Sequence, residues 1–289
     1  MMGTAILRRY VLIKAIGQGG VSTVYSAVDA QRGRRIAVKI LAPTLADNPN
    51  ARDDVRREAL ITDRLRHPSV PRVFEYGDAP LPDGTVVPYV VMEFLDGVPL
   101  LDRLAGGALE WTEAVRIAAT AADVLAVAHR RGVVHRDLAA RNIMVTPHGI
   151  KIIDFGMATA ALRTSDTGDR PIVVRAHPHR DRAPSHPKTA FARPADDVYT
   201  LGVLLYEMVT GRSPYPPGMA ATILVAGRVA NLAPTPVLAV AGLPAEIRDL
   251  VRACMAKLPE ERPRSQEVAL KLWQILHDRG VRRPEPSLT

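Results

Sequence analysis

The chain has 289 residues, of which 47% are apolar and 24% charged, with a formal net charge of +8 and a pI near 9.9. That balance excludes a wholly disordered chain and supports a sizeable core; the basic excess favours acidic partners such as nucleotides, acidic peptides, nucleic acid or anionic membrane, the alternative being a plain solvated basic surface. One cysteine, Cys254, rules out an internal disulfide, and no run reaches the roughly 18 apolar residues of a membrane span, so the expected setting is soluble and cytoplasmic.

Residues 10–16 form an apolar run predicted as a strand, ending in Gly17-Gln18-Gly19-Gly20. Residues 23–27 and 36–41 are short β-branched runs separated by the turn residues Gln31-Arg32-Gly33. A helix is predicted over 47–65, with Asp47 as its cap and Val55, Ala59 and Thr62 at helical spacing. Strands follow at 70–76 and 86–94. From Trp111 the pattern becomes helical, with Val115, Ala118, Ala119, Ala122, Leu125, Ala126 and His129 on one face. Residues 197–210 are apolar on most sides, as a central helix requires, and 247–255, where Cys254 reads as buried filler, and 266–276 supply later helices. The tail from Arg282 is rich in proline and polar residues and is expected to fray. A mostly β half thus precedes a mostly α half, joined near 93–97, which predicts an α+β fold.

Four groups of residues carry chemistry. Gly17 to Val24 lies between two strands, where glycines let backbone N–H groups close over phosphates; a plain glycine hairpin reads the same. Ile36-Ala37-Val38-Lys39 puts a lysine at the end of an apolar strand, and Glu58, mid-helix, is placed to pair with it. Val134-His135-Arg136-Asp137 leads to Asn142 five residues after Asp137: an acid to accept a proton and a carboxamide to hold a metal. A strand-like run, Lys151-Ile152-Ile153, then ends in Asp154-Phe155-Gly156, and Asp154 suits Mg²⁺, which takes few carboxylates.

In this order the motifs resemble a protein kinase domain of the eukaryotic-like type, most similar to bacterial Ser/Thr kinases, over roughly residues 10–277. The resemblance implies a bilobal fold, with an antiparallel β-sheet lobe and one helix at 8–95, a mainly helical lobe at 96–277, and ATP in the cleft between them. It implies that Ile16, Gly17, Gly19 and Val24 cover ATP, with Ser22 where a third glycine often sits. Lys39 holds the α- and β-phosphates and Glu58 orients it. Met92 resembles the gatekeeper, Glu93 to Leu95 the hinge, and Ala37 and Met144 the residues that sandwich adenine. Asp137 is the implied catalytic base, Asn142 and Asp154 the ligands of Mg²⁺ or, in its place, Mn²⁺. Asp197 matches the aspartate that ties down the catalytic loop. The implied activity is transfer of the γ-phosphate to protein hydroxyls, the protein's own included.

Three positions depart from that pattern. Ser185, in Ala183-Pro184-Ser185, stands where the family has a glutamate, whose usual partner resembles Arg262; that arginine is left to find another acid, such as Glu260 or Glu261. His177-Pro178 aligns with a usual Gly-Thr pair. Ala139 stands where Ser/Thr kinases carry a lysine, and Asp137-Leu138-Ala139-Ala140-Arg141-Asn142 instead resembles tyrosine kinases, so Arg141 supplies the missing positive charge. From Ala161 to Arg193 there are seven Lys/Arg against three Asp, read either as a dock for acidic substrates or as a solvated loop. Arg136 points to control by loop phosphorylation, with Thr164, Ser165 and Thr167 as nearest acceptors. His177, His179 and His186 form no closed metal-ligand set. Three other readings stay open: an impaired nucleotide-binding scaffold, a Tyr or dual-specificity kinase, and a small-molecule kinase. Specific nucleic-acid binding is disfavoured by 4% aromatic content.

Overall fold

The computed structural model describes residues 5–19, 21–155, 159–160, 193–215 and 234–281. They divide into two compact units, one of residues 1–97 with 153–156, the other of 98–152 with 157–289. The class is α+β.

The first unit is a six-stranded antiparallel sheet with one long helix. Its strands are β1 (Ala5–Ile6), β2 (Tyr10–Gln18), β3 (Ser22–Asp29), β4 (Arg34–Leu41), β5 (Val73–Pro80) and β6 (Val86–Glu93), in the order β1-β2-β3-β4-β6-β5. Tyr10, Leu12, Ile36, Val38 and Tyr89 contribute to its core. The helix, α1 (Pro49–Leu65), packs on β4, β5 and β6 through a face that buries Ala51, Val55 and Ala59. It starts two residues later than predicted. Asn48, not Asp47, is the cap: its side chain accepts the Ala51 N–H at 3.1 Å, and Pro49 fills the first helical position, where no N–H is needed. Such a cap contributes about 1 kcal/mol. The strand predicted from residue 70 begins at Val73, because Pro71 has no N–H to give a ladder.

A polar network joins the far ends of that sheet. Arg9 grips buried Asp29 with two bonds, at 3.0 and 2.8 Å, and reaches Glu75 at 3.3 Å. The Glu75 carboxylate also accepts the hydroxyls of Tyr10 and Tyr89, each at 2.5 Å. β2 is second and β5 last in the strand order, so a direct bond between Tyr10 and Glu75 requires the sheet to curl.

The second unit is mainly helical: α2 (Leu100–Leu104), α3 (Trp111–Arg130), α4 (Pro194–Thr210), α5 (Ala245–Cys254) and α6 (Ser265–Asp278). Short strands β7 (Val98–Pro99), β9 (Ile143–Thr146) and β10 (Gly149–Ile152) form one sheet, in the order β10-β9-β7; β8 (Val133–Val134) pairs with β11 (Thr159–Ala160). α3 lies along α6 and α4 through small buried residues such as Ala118, Ala119, Ala121 and Ala122, which let helices approach closely.

The central helix α4 begins three residues before the predicted 197, with Pro194 in its first turn. It ends at Gly211, φ 67°, where a Cβ would come within 2.8 Å of the Ala108 nitrogen, so only glycine fits. At Gly202 it meets α5 so tightly that an added Cβ would lie 2.8 Å from the Cys254 Cβ and 3.0 Å from the Met255 Cγ. Cys254 itself is buried, and burial pushes its thiol up to about 12.

Candidate active site

Strand register assembles the predicted nucleotide residues of the first unit. In β4, Lys39 stands opposite Val24 of β3 and Val90 of β6, and Ala37 stands opposite Met92. Residues two apart on a strand share a face, as do directly paired residues, so Val24, Ala37, Lys39 and Met92 line one side of the sheet. β2 pairs Gly17 with Val24, with irregular register around Ala15 and Gly17. Beyond it the Gly19 N–H closes a turn onto the Ser22 carbonyl at 2.9 Å. Ile16 stays 46% exposed on the same strand. At the end of β6, Glu93 exchanges bonds with the Arg72 backbone at 2.8 and 3.1 Å, and Leu95 is half-buried.

Lys39 donates to both oxygens of Glu58 in α1, at 2.7 and 2.6 Å; of the two partners open to Glu58 in the sequence, Lys39 or a neighbouring arginine, the lysine is the one it takes. The Asp154 carboxylate lies 3.9 Å from the same ammonium. Burial opposes the charge on Lys39, but Glu58 and then Asp154 outweigh it and raise the pKa above the ordinary lysine value. Asp154 holds a positive φ of 64°, unusual for a residue with a side chain, and its side chain is 47% exposed.

In the second unit the loop of residues 135–142 is organised by one buried carboxylate. Asp197 accepts the His135 N–H and the Arg136 N–H, both at 2.7 Å, and meets Nε2 of His129 at 2.8 Å. Arg136 is thereby held at φ 69°. Asp137 follows. Its carboxylate accepts Arg141 Nη2 at 2.6 Å on one oxygen and Asn142 Nδ2 at 3.0 Å on the other. Asn142 Nδ2 also donates to the Asp137 carbonyl at 2.7 Å, so the group Asn142 has to offer a metal is its amide oxygen. Met144 lies half-buried in β9, paired with Lys151 and Pro99.

The Asp154 carboxylate in the first unit and the Asn142 amide oxygen in the second are each hard oxygen donors, the chemistry that divalent cations accept. Among the described residues no group of three or more His, Cys, Asp or Glu is placed to hold a metal.

Sequence reasoning missed the roles of His129, of its partner Ser265, and of Asp196. His129 was placed on the buried face of α3 as part of an apolar stripe. It bridges Asp197 to Ser265 Oγ, at 2.9 Å, and the signal was a polar residue closing an otherwise apolar face. Asp196 was also missed, and it corrects the expectation for Arg262. That buried arginine pairs with Asp196, at 3.3 Å, and with neither Glu260 nor Glu261, which precede it in a 3-10 turn. Gly20, Gly156, Thr164, Ser165, Thr167, the three loop histidines, Pro178 and Ser185 lie outside the described residues.

With a lysine–glutamate clamp on the sheet and an Asp–Asn loop tied to a central helix, the chain matches the protein kinase domain family over residues 10–274 and belongs to it. It is 34% identical over 290 residues to the serine/threonine-protein kinase PknA of Mycobacterium tuberculosis, an alignment covering 100% of this chain and 65% of that protein. It is 38% identical over 220 residues to a probable serine/threonine-protein kinase PknB of Corynebacterium glutamicum, covering 74% of this chain and 33% of that one. With the PknB of Mycolicibacterium smegmatis the identity is 36% over 210 residues, 72% of this chain and 33% of the relative. The chain therefore spans about two thirds of the length of PknA and a third of the two PknB proteins. Among the described residues no helix is long and apolar enough to cross a membrane.

Proposed function

We propose that this chain is a serine/threonine-protein kinase domain that transfers the γ-phosphate of ATP to hydroxyls of proteins, its own included, in a cytoplasmic setting. The observation that carries the reading is Lys39, kept charged between Glu58 and Asp154. A cation so fixed is what the triphosphate of ATP requires, since phosphoryl transfer is chiefly positioning and charge stabilisation. The names of the relatives support Ser/Thr hydroxyls as acceptors.

In the proposed reaction the acceptor oxygen attacks the γ-phosphorus, the bond to the β–γ bridging oxygen breaks, and ADP leaves. Asp137 takes the hydroxyl proton, oriented by Arg141 and Asn142. Lys39 binds the α- and β-phosphates. Ile16, Gly17, Gly19, Val24, Ala37, Met92, Glu93, Leu95 and Met144 are assigned to the nucleotide, and Arg136 to a phosphate on Thr164, Ser165 or Thr167. Asn142 and Asp154 would hold Mg²⁺, with Mn²⁺ as substitute, and a bound divalent ion neutralises charge on the phosphates. The net charge of +8 favours acidic protein substrates.

The test is incubation of the chain with ATP and Mg²⁺, mass-spectrometric mapping of phosphate, and Asp137→Asn as control. Phosphate on serine or threonine in the wild type alone is the expected result. Tight nucleotide binding without transfer would replace the reading by a scaffold, and phosphotyrosine would overturn the acceptor class.

A further inference from the structure

We propose that Arg262 is a positioning residue for the catalytic loop, acting through the adjacent aspartates Asp196 and Asp197 in the first turn of α4. The proposal rests on the reading of Asp137 as proton acceptor.

The side chain of Arg262 is 0% exposed. Its guanidinium donates to the carbonyls of Ala256 at 2.9 Å and Lys257 at 3.3 Å, both just past α5. On its other side it donates to the Ala195 carbonyl at 2.9 Å and to Asp196 Oδ1 at 3.3 Å, in the first turn of α4. Its Cζ lies 4.9 Å from the centre of the Tyr199 ring, one turn further along. The exit of α5, the approach to α6 and the start of α4 thus meet on one enclosed cation. An enclosed cation stripped of its carboxylate is strongly destabilising, so Asp196 is the residue that keeps Arg262 in place. Asp196 is fixed at its other oxygen too, where Oδ2 accepts the Arg193 N–H at 3.3 Å and closes the helix turn.

The next residue is Asp197. Consecutive residues on a helix point about 100° apart. One aspartate therefore meets the α5–α6 junction while its neighbour holds the His135 and Arg136 amides. Loosening the turn at Asp196 moves both. The loop has little tolerance for that movement, because Arg136 is kept at a positive φ immediately before Asp137. A second connection runs the same way: Ser265, three residues after Arg262, bonds His129, and His129 bonds Asp197. The short segment from Arg262 to Ser265 thus reaches Asp197 by two routes, one through each partner. None of these residues is assigned to ATP or to the acceptor, so Arg262 acts on the reaction only through the backbone it holds.

The experiment measures hydrogen exchange at the His135 and Arg136 amides, together with steady-state kinetics, in wild type, Asp196→Asn, Asp196→Glu and Arg262→Lys. Trp273→Phe, which breaks a bond from α6 to Asp123 elsewhere along the same pair of helices, leaves the His129–Ser265 bond in place and serves as a destabilised control. Asp196→Asn keeps an acceptor and removes the charge, so it carries the test even where the arginine variant does not fold. The expected result is roughly tenfold faster exchange at both amides in Asp196→Asn, a matching fall in kcat, and ATP KM within about twofold of wild type. Asp196→Glu restores both, and Trp273→Phe changes neither. Faster exchange in α5 and α6 with the two loop amides unchanged would overturn the proposal and leave Arg262 as a local brace. Exchange needs no turnover: loop amides that respond in a chain whose wild type transfers no phosphate would overturn the kinase reading and not the link.

Discussion

Arg141 and Asp137 share a hydrogen bond of 2.6 Å, an ion pair one helical turn long in a loop that is not an α-helix. It sets one oxygen of the proposed base against a permanent cation. Arg141→Ala is expected to lower kcat about 10- to 100-fold, the worth of one charge-assisted bond. Arg141→Lys keeps the charge and should recover part of the loss. The Arg141 side chain is 41% exposed, so the melting temperature should hardly move. Kinetics and thermal unfolding on the same preparations separate the two effects.

Lys39→Met should reduce transfer by about 10²-fold or more, because the cation proposed for the phosphates is gone. Glu58→Gln should cost less, since the amide oxygen still accepts from Lys39 but no longer holds its charge. Because Glu58 and Asp154 raise the Lys39 pKa above 10.5, the ammonium persists through mildly alkaline pH. An alkaline loss of activity that sets in below pH 9 would therefore have to come from another group, and a pH–kcat profile of wild type against Glu58→Gln reads this directly.

The network around Glu75 contributes to the pH dependence of the first unit's stability. Burial and then the bond to Glu75 push Tyr10 up to about 12, against an ordinary 10.0. The unfolded chain therefore loses this proton first, and stability that is full below pH 10 falls as pH rises towards 12. At the acid end Arg9 holds Asp29 down to about 2, against 3.8, so its contribution is full above 3.8 and is lost as pH falls through 2. Denaturant unfolding across pH should show both flanks. Glu75→Ala should bring the alkaline flank to lower pH, with tyrosinate absorbance appearing earlier.

Gly202→Ala drives a methyl group into the Cys254 Cβ and the Met255 Cγ, and should destabilise by about 1–3 kcal/mol. Calorimetry should show a melting temperature lower by roughly 2–4 °C per kcal/mol. Cys254→Ala should not rescue it, because the nearest atom in conflict is the Cβ that alanine keeps. Cys254→Gly removes that atom.

The pairings of the candidate site were legible where chemistry dictates residue type at close spacing. Asp137 and Asn142 are five apart in one loop, and Lys39 with Glu58 could be paired from a strand end and a helix face. Boundaries were less legible. Asp47 and Asn48 are both good caps in adjacent positions, and only Pro49, which suits a first helical position, distinguishes them. The two-residue strands β1, β7, β8 and β11 and the single-turn α2 are shorter than any periodicity that could announce them. The partner of Arg262 was hidden for another reason. Asp196 is 66 residues away, and acids beside the arginine in sequence, Glu260 and Glu261, were the natural guess. Packing between helices chose the distant one, and no local pattern records that choice.

Cys254 offers a practical return. The only thiol of the chain is 2% exposed and held far from the thiolate form at neutral pH, so alkylating reagents should pass the folded protein by. A cysteine introduced at any exposed position then becomes the sole address for a fluorophore, spin label or surface tether, with no native residue to engineer away first. Conversely, the moment at which Cys254 does react is a clock for the parting of α4 from α5.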